Sequence, residues 1–103
     1  MFSRILAKPY TLYYNVYMIK YENAVLKAYK KGLFPKHIFE HMHHAFQSLE
    51  LTRDLTLFDI KRLQGSELRE YFRLRKGKYR AIFYFQEDDI VVVKISKRED
   101  VYK

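Results

Sequence analysis

The sequence predicts an α+β fold, in which an N-terminal strand and an α-helical hairpin pack on a small, mainly antiparallel C-terminal β-sheet. Apolar residues recur at helical spacing in the first half of the chain, whereas apolar and polar residues alternate over residues 70–97. At 103 residues, of which 49 % are apolar, the chain can form one core and one domain spanning residues 1–103. Residues 1–13 show no clear period and are expected to be an N-terminal extension.

The first strand and the first helix are predicted from a change of period near residue 22. Residues 14–19 (YNVYMI) are dense in aromatic and branched side chains, which favour a strand. Gly32 marks the end of the helix, as glycine commonly does just beyond a helical C-cap. The apolar residues at helical spacing from about Glu22 onward are Ala24, Val25, Ala28 and Tyr29.

A second helix is expected from Pro35, which suits a first helical turn, to about residue 49. Joined to the first helix through residues 32–34, it forms an α-hairpin. Its apolar stripe consists of Ile38, Met42, Phe46 and Leu49. The next segment, residues 51–63, is ambiguous, and residues 52–57 are expected to be loop. The side chains of this segment that are expected to pack inward are Phe58, Ile60 and Leu63.

The last third of the chain predicts a meander of three antiparallel strands, separated by Gly77 and by an acidic turn. The strands are expected over residues 70–75, 78–86 and 90–97. The side chains expected under the helices are Phe72, Leu74, Tyr79, Ala81, Phe83 and Phe85, then Val91, Val93 and Ile95. The opposite, cationic face is expected to hold Arg73, Arg75, Lys78 and Arg80, then Lys94, Ser96 and Arg98.

The lengths of the two turns decide which side chains share a face, because a slip of one residue exchanges the faces of a strand. We expect a two-residue turn at residues 76–77 and a three-residue loop at residues 87–89. The first turn would place Arg73 opposite Arg80, a like-charge pair that costs about 0.2–1 kcal/mol. Sheet stability gives no reason for such a pair. A bound phosphate does, because planar guanidinium donors match phosphate oxygens.

Basic residues are concentrated in residues 61–80, where eight lysines and arginines against two glutamates give a net charge of +6. The whole chain carries a formal net charge of +8. Such an excess favours nucleic acid or an acidic protein as the partner. Besides the two arginines at 73 and 80, the candidate nucleic-acid-binding residues are Lys61, Arg62, Arg75, Lys76, Lys78, Lys94 and Lys97.

Composition excludes several classes of protein. The chain has no cysteine, which excludes a disulfide scaffold, a zinc–thiolate site and a thiol nucleophile. No apolar run approaches the length of a membrane span, and the first residues carry too many tyrosines and charges for a signal peptide. We therefore expect a soluble cytoplasmic protein, with no metal site and no cofactor.

Other conspicuous residues are explained more simply by structure than by function. His37, His41 and His44 share a face of the second helix, but no carboxylate completes a metal site, so a solvated face is favoured. Five tyrosines could stack on bases, although strand and core packing is the favoured interpretation: Tyr10, Tyr13, Tyr14, Tyr17 and Tyr21. The lysines expected to form a solvated face of the first helix are Lys27, Lys30 and Lys31.

The ordered motifs of the chain resemble the RelE/ParE superfamily of bacterial toxin–antitoxin toxins. Residues 63–65 (LQG) are similar to the family's K-L-x-G, and residues 73–80 to its R-L-x-x-G-x-Y-R. The ending at residues 97–102 is similar to H/K-R-x-x-V-Y. The resemblance covers roughly residues 14–102, and it depends on the order and spacing of the motifs, since none of them is specific alone.

The resemblance implies a microbial RNase-like fold and, for the RelE branch, metal-free cleavage of mRNA in the ribosomal A site. The ribose 2′-OH would attack the adjacent phosphate, leaving a cyclic phosphate and a free 5′-OH. Carried over residue by residue, Arg73 and Arg80 would stabilise the phosphate, Arg98 would assist the leaving group, and Tyr102 would abstract the proton. Surrounding cations would lower the pKa of Tyr102 from about 10.

The partners implied by the resemblance are the ribosome with its mRNA and a cognate acidic antitoxin. Two other functions stay open. A ParE-like toxin shares the fold but inhibits DNA gyrase and lacks the catalytic set, and a plain RNA-binding module would not need Tyr102.

Overall fold

The computed structural model describes residues 18–64 and 69–97, and in these the predicted α+β fold is confirmed. The elements in chain order are β1 (Ile19–Tyr21), α1 (Asn23–Lys30), α2 (Lys36–Thr52), a 3₁₀ helix (Leu55–Leu57), β2 (Ile60–Arg62), β3 (Phe72–Lys76), β4 (Tyr79–Gln86) and β5 (Asp89–Lys97). The strands form one sheet in the order β1-β5-β4-β3-β2. β1 runs parallel to β5, and the other pairs are antiparallel. Both helices pack on one face of this sheet.

The α-hairpin is confirmed, with its turn at Gly32. This residue has a φ of 77°, a left-handed conformation that glycine adopts without the steric cost of a Cβ. Its N–H donates to the Tyr29 carbonyl, and the Leu33 N–H donates to the Ala28 carbonyl, both at 3.0 Å. These two bonds satisfy carbonyls at the end of α1 in a Schellman motif.

Helix α2 begins one residue later and ends three residues later than the sequence predicts. Pro35 is its N-cap and not part of its first turn. The helix ends at Thr52, and its C-cap is Arg53, whose φ of 56° is left-handed. The predicted apolar stripe is buried in full: Ile38, Met42, Phe46 and Leu49.

The first strand lies later in the chain than the predicted range of residues 14–19. Residues 14–17 lie outside the described part of the chain, and β1 meets the prediction only at Ile19. Ile19 pairs with Ile90 of β5. Asp89 anchors this end of the sheet, since its carboxylate accepts the Met18 N–H at 2.9 Å and lies 3.2 Å from Lys20 Nζ.

The ambiguous segment contains a strand that the sequence did not predict. Residues 52–57, expected to be loop, hold the end of α2 and the 3₁₀ helix, where the Asp54 carboxylate accepts the Thr56 N–H at 2.9 Å. Strand β2 follows and forms the edge of the sheet beside β3. Phe58 and Ile60 pack against the core as predicted, and Leu63 is half-buried.

The turn between β3 and β4 differs from the predicted one. Its two residues are Gly77 and Lys78, so Arg75 pairs with Arg80 and the predicted pairing of Arg73 with Arg80 is wrong. Gly77 has a φ of 60°, and a two-residue hairpin turn with glycine first matches the twist of the flanking strands. The register moves by two residues, an even number, so the strand residues keep their predicted faces. Lys78, predicted on the cationic face, lies instead in the turn.

The turn between β4 and β5 is shorter than the predicted three-residue loop. It contains two residues, Glu87 and Asp88, so that Gln86 pairs with Asp89. The register of β4 with β5 then shifts at a β-bulge between Ile82 and Phe83 of β4. Such a bulge inserts one unpaired residue into the opposite strand and reverses the faces beyond it.

This bulge changes which side chains of β5 reach the core. Ile90 and Val92 are fully buried there, whereas the sequence predicts Val91 and Val93. Val93 is the extra residue at the bulge, and Val91 lies on the opposite face. Because the bulge restores the predicted alternation beyond it, Ile95 does lie in the core as predicted.

The core lies between the helices and the sheet, and Phe83 is at its centre. The Phe83 side chain is fully buried, with its ring centroid 5.1 Å from that of Phe46 and 5.5 Å from that of Phe72. Burying one such side chain contributes about 1.5–3 kcal/mol. Packing from the helix side therefore fixes the sheet and leaves its other face for polar chemistry.

Candidate functional site

The face of the sheet that points away from the helices, here called the outer face, carries a cluster of basic side chains. The alternation of β3 puts Arg73 and Arg75 there, since Phe72 and Leu74 are in the core. Cross-strand pairing then assigns the other members of the cluster to the same face: Lys61 opposite Arg73, Arg80 opposite Arg75, and Lys94 opposite Ile82. Four strands thus contribute cations to one surface.

Asp59, which precedes β2, holds two of these arginines together. Its carboxylate accepts from Arg75 Nε at 2.7 Å and from an Arg73 terminal nitrogen at 3.0 Å. The Asp59 backbone carbonyl also accepts the Arg75 N–H at 2.9 Å. The hydrogen bond from Arg75, with the charges of both arginines, lowers the pKa of Asp59. Asp59 therefore remains an anion that fixes the spacing of two guanidinium groups.

Sequence reasoning missed Asp59, although a signal for it was present. Phe58 and Ile60 alternate with Asp59 and Lys61, which is the period of a strand with one apolar and one charged face. A carboxylate in that charged row would have been the natural counterion of a neighbouring arginine. The segment is only three residues long in the sheet, which is why its period is hard to detect.

Arg73 is enclosed more than its charge alone would lead one to expect. Its side chain is only 12 % exposed. Its Nε atom is buried and, in the part of the chain that the structure describes, has no hydrogen-bond partner. Leaving such a donor unsatisfied costs about 1–3 kcal/mol, and more for a charged group. An oxyanion placed against Arg73 would remove that cost.

Arg80 lies beside this pair and is itself 5 % exposed. It faces Arg75 across the strands, so the like-charge pair exists with a different partner from the predicted one. Arg73 and Arg80 are diagonal neighbours, which in a sheet are separated by roughly 7–8 Å. The three arginines thus remain neighbours on one face, with Asp59 partly offsetting their repulsion.

The remaining predicted nucleic-acid-binding residues do not form one surface. Register places Arg62 on the helix side of the sheet, where it forms an ion pair with Glu70. Tyr79 of β4 pairs with Lys76 of β3 and with Lys97 of β5, and all three also lie on the helix side of the sheet. The exposed members of the predicted set are Lys61, Arg62, Lys76, Lys78, Lys94 and Lys97. Only some of them could contact a ligand held by the outer face.

Two predicted catalytic residues, Arg98 and Tyr102, lie outside the described residues. The last residue described is Lys97, at the end of β5. Strand β5 lies beside Arg80 on the sheet, because Ser96 of β5 pairs with Arg80 of β4. The roles that the resemblance implies for Arg98 and Tyr102 stay predictions.

An aromatic pair and a cation extend the outer face beyond Arg73. The Tyr71 and Tyr84 rings meet edge to face with their centroids 5.7 Å apart. The guanidinium carbon of Arg69 lies 4.0 Å from the centroid of the Tyr84 ring. Sequence reasoning considered base stacking only for N-terminal tyrosines, and favoured packing for them. The sequence did contain a signal for this group: Tyr84 lies four residues after Arg80, so in a strand of period two both side chains share one face.

The histidines lie on the helix side, away from the arginine cluster. His37, His41 and His44 are exposed, as expected of a solvated helix face. A groove of about 260 Å³ near the hairpin end is lined by His41, His44, Ala45, Ser48, Phe58 and Lys76. Among the described residues, no group of three or more histidines, aspartates and glutamates is placed to bind a metal ion. The lysines of α1 and its end, Lys27, Lys30 and Lys31, are exposed as well.

Tyr21 packs inward, as the sequence predicts for it. Its hydroxyl is hydrogen-bonded to His43 Nδ1 at 2.8 Å, and its ring lies 4.8 Å from that of Phe39. Burial, with a smaller contribution from the charge of Glu50, raises the pKa of Tyr21, and burial lowers the pKa of His43. Both groups are therefore neutral at pH 7.

The described helices include none that is long and apolar enough to cross a membrane.

Comparison with known proteins gives one relative by sequence and several by structure. No family model matches the chain. A 48-residue segment, 45 % of this chain, is 50 % identical to a putative toxin RelE1 of Methanocaldococcus jannaschii. That segment spans about half, 51 %, of the curated relative's length.

Two solved structures match over most of their length. The RelB–RelE antitoxin–toxin complex from Methanococcus jannaschii superimposes with a TM-score of 0.63 over 81 % of this chain and 94 % of the matched chain, at 24 % identity. The archaeal RelE–RelB complex from Pyrococcus horikoshii OT3 gives a TM-score of 0.61 over 80 % and 94 % of the two chains, at 26 % identity. The fold is thus that of the matched chains in these complexes.

Proposed function

We propose that this chain is a RelE-type toxin of a toxin–antitoxin pair and acts in the cytoplasm as a ribosome-dependent endoribonuclease that cleaves mRNA, in keeping with its similarity to a putative toxin RelE1 and to two RelE–RelB complexes. The observation that carries the proposal is the arginine cluster of the outer face, with a buried donor on Arg73 that has no partner among the described residues. Such a cluster is costly for a sheet and suits a phosphate.

The proposed reaction needs no group that the chain cannot supply. The 2′-OH of a ribose loses its proton to a base and attacks the adjacent phosphorus, the bond from phosphorus to the 5′ oxygen then breaks, and the departing 5′ oxygen takes up a proton from solvent. The products are a 2′,3′-cyclic phosphate and a free 5′-OH. In the phosphorane transition state, negative charge develops on the non-bridging oxygens. Arginines that are already held in place stabilise this charge without reorganisation.

Arg73 and Arg80 are proposed to bind the non-bridging oxygens, since they are neighbours on the outer face. Asp59 would act as a positioning residue, because it holds Arg73 through one oxygen and Arg75 through the other. The family resemblance assigns the two remaining steps. Tyr102 would take the proton of the 2′-OH, and Arg98 would assist departure of the 5′ oxygen.

The proposed partner is an acidic antitoxin that covers this cationic surface, in keeping with the chain's net charge of +8. The relatives solved as toxin–antitoxin complexes support an assembly of this kind. The ribosome would position the mRNA over the outer face. Neither partner requires a metal or an organic cofactor on this chain.

Expression of the chain without a partner tests the proposal. Pulse labelling should show protein synthesis falling before DNA synthesis, and co-expression of a small acidic antitoxin from the neighbouring gene should relieve the arrest. A fall in DNA synthesis first would instead indicate gyrase inhibition. A chelator selective for transition metals, added at the Mg²⁺ concentration that keeps the ribosome assembled, should leave mRNA cleavage unchanged, since the proposed chemistry uses arginines and tyrosine alone.

A further inference from the structure

We propose that Tyr71 and Leu63 form a binding site on the outer face for the base of a nucleotide next to the scissile phosphate. Tyr71 stacks on the base, and Leu63 packs against the edge of that base. The inference rests on the proposed RNA cleavage, because it takes the phosphate to lie at the arginine cluster. It adds a base subsite to that function, made by two side chains that take no part in the proposed chemistry.

The position of Tyr71 relates it to the arginine cluster. Phe72 lies in the core and pairs with Phe83. Tyr71 and Tyr84, each one residue further along its strand, therefore lie together on the outer face, one row beyond Arg73. Neighbouring rows on one face are two residues apart, or about 7 Å along the strand. A nucleotide whose phosphate contacts Arg73 thus has a neighbouring base within reach of Tyr71.

Leu63 continues this row on the other side of Tyr71. Its N–H donates to the Tyr71 carbonyl at 2.9 Å, which places Leu63 opposite Tyr71 just beyond the end of β2. Lys61, two residues earlier, lies opposite Arg73 on the outer face. Leu63 therefore shares that face and is not in the core, where the sequence predicts it. One step along the sheet, a pair of cations gives way to an apolar pair, as the phosphate and base of one strand of RNA require.

The Tyr71 ring is held in place and still reaches the surface. It is half-buried, at 88° to the Tyr84 ring, with the two centroids 5.7 Å apart. Tyr84 is only 8 % exposed, so the ring that supports Tyr71 is itself fixed. In an edge-to-face pair, one ring contacts at most one face of the other. Within residues 18–64 and 69–97 the Tyr71 ring contacts no second ring, which leaves a face for a base.

The chemistry of this pair suits a base and not a phosphate. Proteins that bind single-stranded RNA commonly stack bases on tyrosine. Every base has a π-face, so the site accepts all four bases and contributes affinity more than sequence preference. The Tyr71 hydroxyl makes no hydrogen bond to any other described residue. The aromatic ring, and not the hydroxyl, is therefore expected to provide the binding energy.

The test compares synthetic mRNAs that place the same codon in the ribosomal A site. All carry a 2′-O-methyl group on the ribose whose 2′-OH would attack, so binding is measured without cleavage. One mRNA is complete, and two others lack the base on the 5′ or on the 3′ side of the scissile phosphate. Wild-type protein should bind the complete mRNA complex about ten- to a hundredfold more tightly than one of the two abasic complexes.

The variants assign this affinity ratio to the ring. Tyr71→Ala should bind the complete and abasic complexes equally, whereas Tyr71→Phe should keep the wild-type ratio. Leu63→Ala should lower the ratio less than Tyr71→Ala, because a leucine at the base edge makes a smaller contact than a stacked ring. A variant that is partly unfolded loses affinity for both complexes by the same factor, so the ratio does not depend on stability.

Leu51→Ala is the matched control for the loss of an apolar surface side chain. Leu51 is 73 % exposed and belongs to α2, on the other side of the sheet from the proposed site. Its ratio should equal that of the wild type. A ratio that falls in Leu51→Ala as far as in Tyr71→Ala would contradict a local base contact.

Three other results would overturn the base site. They are equal binding of all three complexes by the wild type, a ratio that survives in Tyr71→Ala, and a ratio that is lost in Tyr71→Phe. Equal binding by the wild type together with weaker antitoxin binding by Tyr71→Ala would assign this apolar pair to the protein partner instead. Failure of the nuclease proposal gives a different result: the unmodified mRNA stays intact on the same ribosomes, while the Tyr71-dependent ratio persists and supports the base site.

Discussion

The two faces of the same five-stranded sheet are built on opposite principles. The helix side is apolar and closed, with Phe83 and Leu74 almost fully buried against α2. The outer face places three arginines together and needs Asp59 to tolerate them. The helix side stabilises the folded state, whereas the like charges of the outer face destabilise it. A surface that is kept at such a cost points to a ligand with the opposite charge.

The largest effect should come from the apolar face. Phe83→Ala removes a ring that packs against Phe46 and Phe72 and should lower the free energy of unfolding by about 3–5 kcal/mol. Denaturant titration measures this directly. The variant should lose activity only in proportion to its unfolded fraction. Near-native stability in Phe83→Ala would mean that the core is not where the structure places it.

A smaller effect is expected at the residue that joins the arginines. Asp59→Asn should slow single-turnover cleavage by about ten- to a hundredfold, because a misplaced cation loses much of its effect on the transition state. Its stability should change by no more than about 1 kcal/mol, since Asp59 is half-exposed. Equal cleavage rates for the variant and the wild type would show that Asp59 does not position these arginines.

The pH dependence of this stability difference follows from the lowered pKa of Asp59. A carboxyl group whose folded-state pKa is depressed stabilises the fold above its unfolded-state pKa, which is about 3.9. The difference between wild type and Asp59→Asn should therefore be constant near neutral pH. It should disappear as the pH falls below about 4 through the lower folded-state value. A difference that grows in acid would contradict the ion pairs.

The smallest effect separates two adjacent cations on β2. Lys61 lies on the outer face opposite Arg73, whereas Arg62 lies on the helix side and pairs with Glu70. Lys61→Ala should weaken RNA binding several-fold and reduce the salt dependence of log K by about 0.7, one phosphate contact. Arg62→Ala should leave the salt dependence unchanged. Equal effects at the two positions would remove the distinction between the faces.

The sequence predicted the fold and the face of each β3 and β4 residue. The register between these strands differs from the predicted one by two residues, which leaves each side chain on its predicted face. The sequence did not predict which arginines face each other, since the position of the two-residue turn depends on the left-handed backbone at Gly77, which is the first turn residue and not the second. The β5 prediction failed for a similar reason. A bulge at Val93 has no signature in the sequence of residues 90–97, because all four residues of its first half are apolar and show no alternation.

The site was predicted in part. The basic strand residues were evident from charge, but the anion that organises them comes from a three-residue strand with too short a period to detect. The Arg69 contact depends on the tertiary position of Tyr84, which local sequence cannot provide. Arg98 and Tyr102 lie outside the described residues, so their roles rest on family resemblance.

The most direct test of the account is single-turnover mRNA cleavage on programmed ribosomes by Arg73→Ala, with a thermal melt of the same sample. Loss of a preorganised donor should slow cleavage by about a hundred- to a thousandfold. The melting temperature should stay near the wild-type value, because the Arg73 ion pair involves a half-exposed carboxylate and Arg75 still pairs with it. Undiminished cleavage, or a loss explained by a collapsed melt, would contradict the claim that the outer face performs the chemistry.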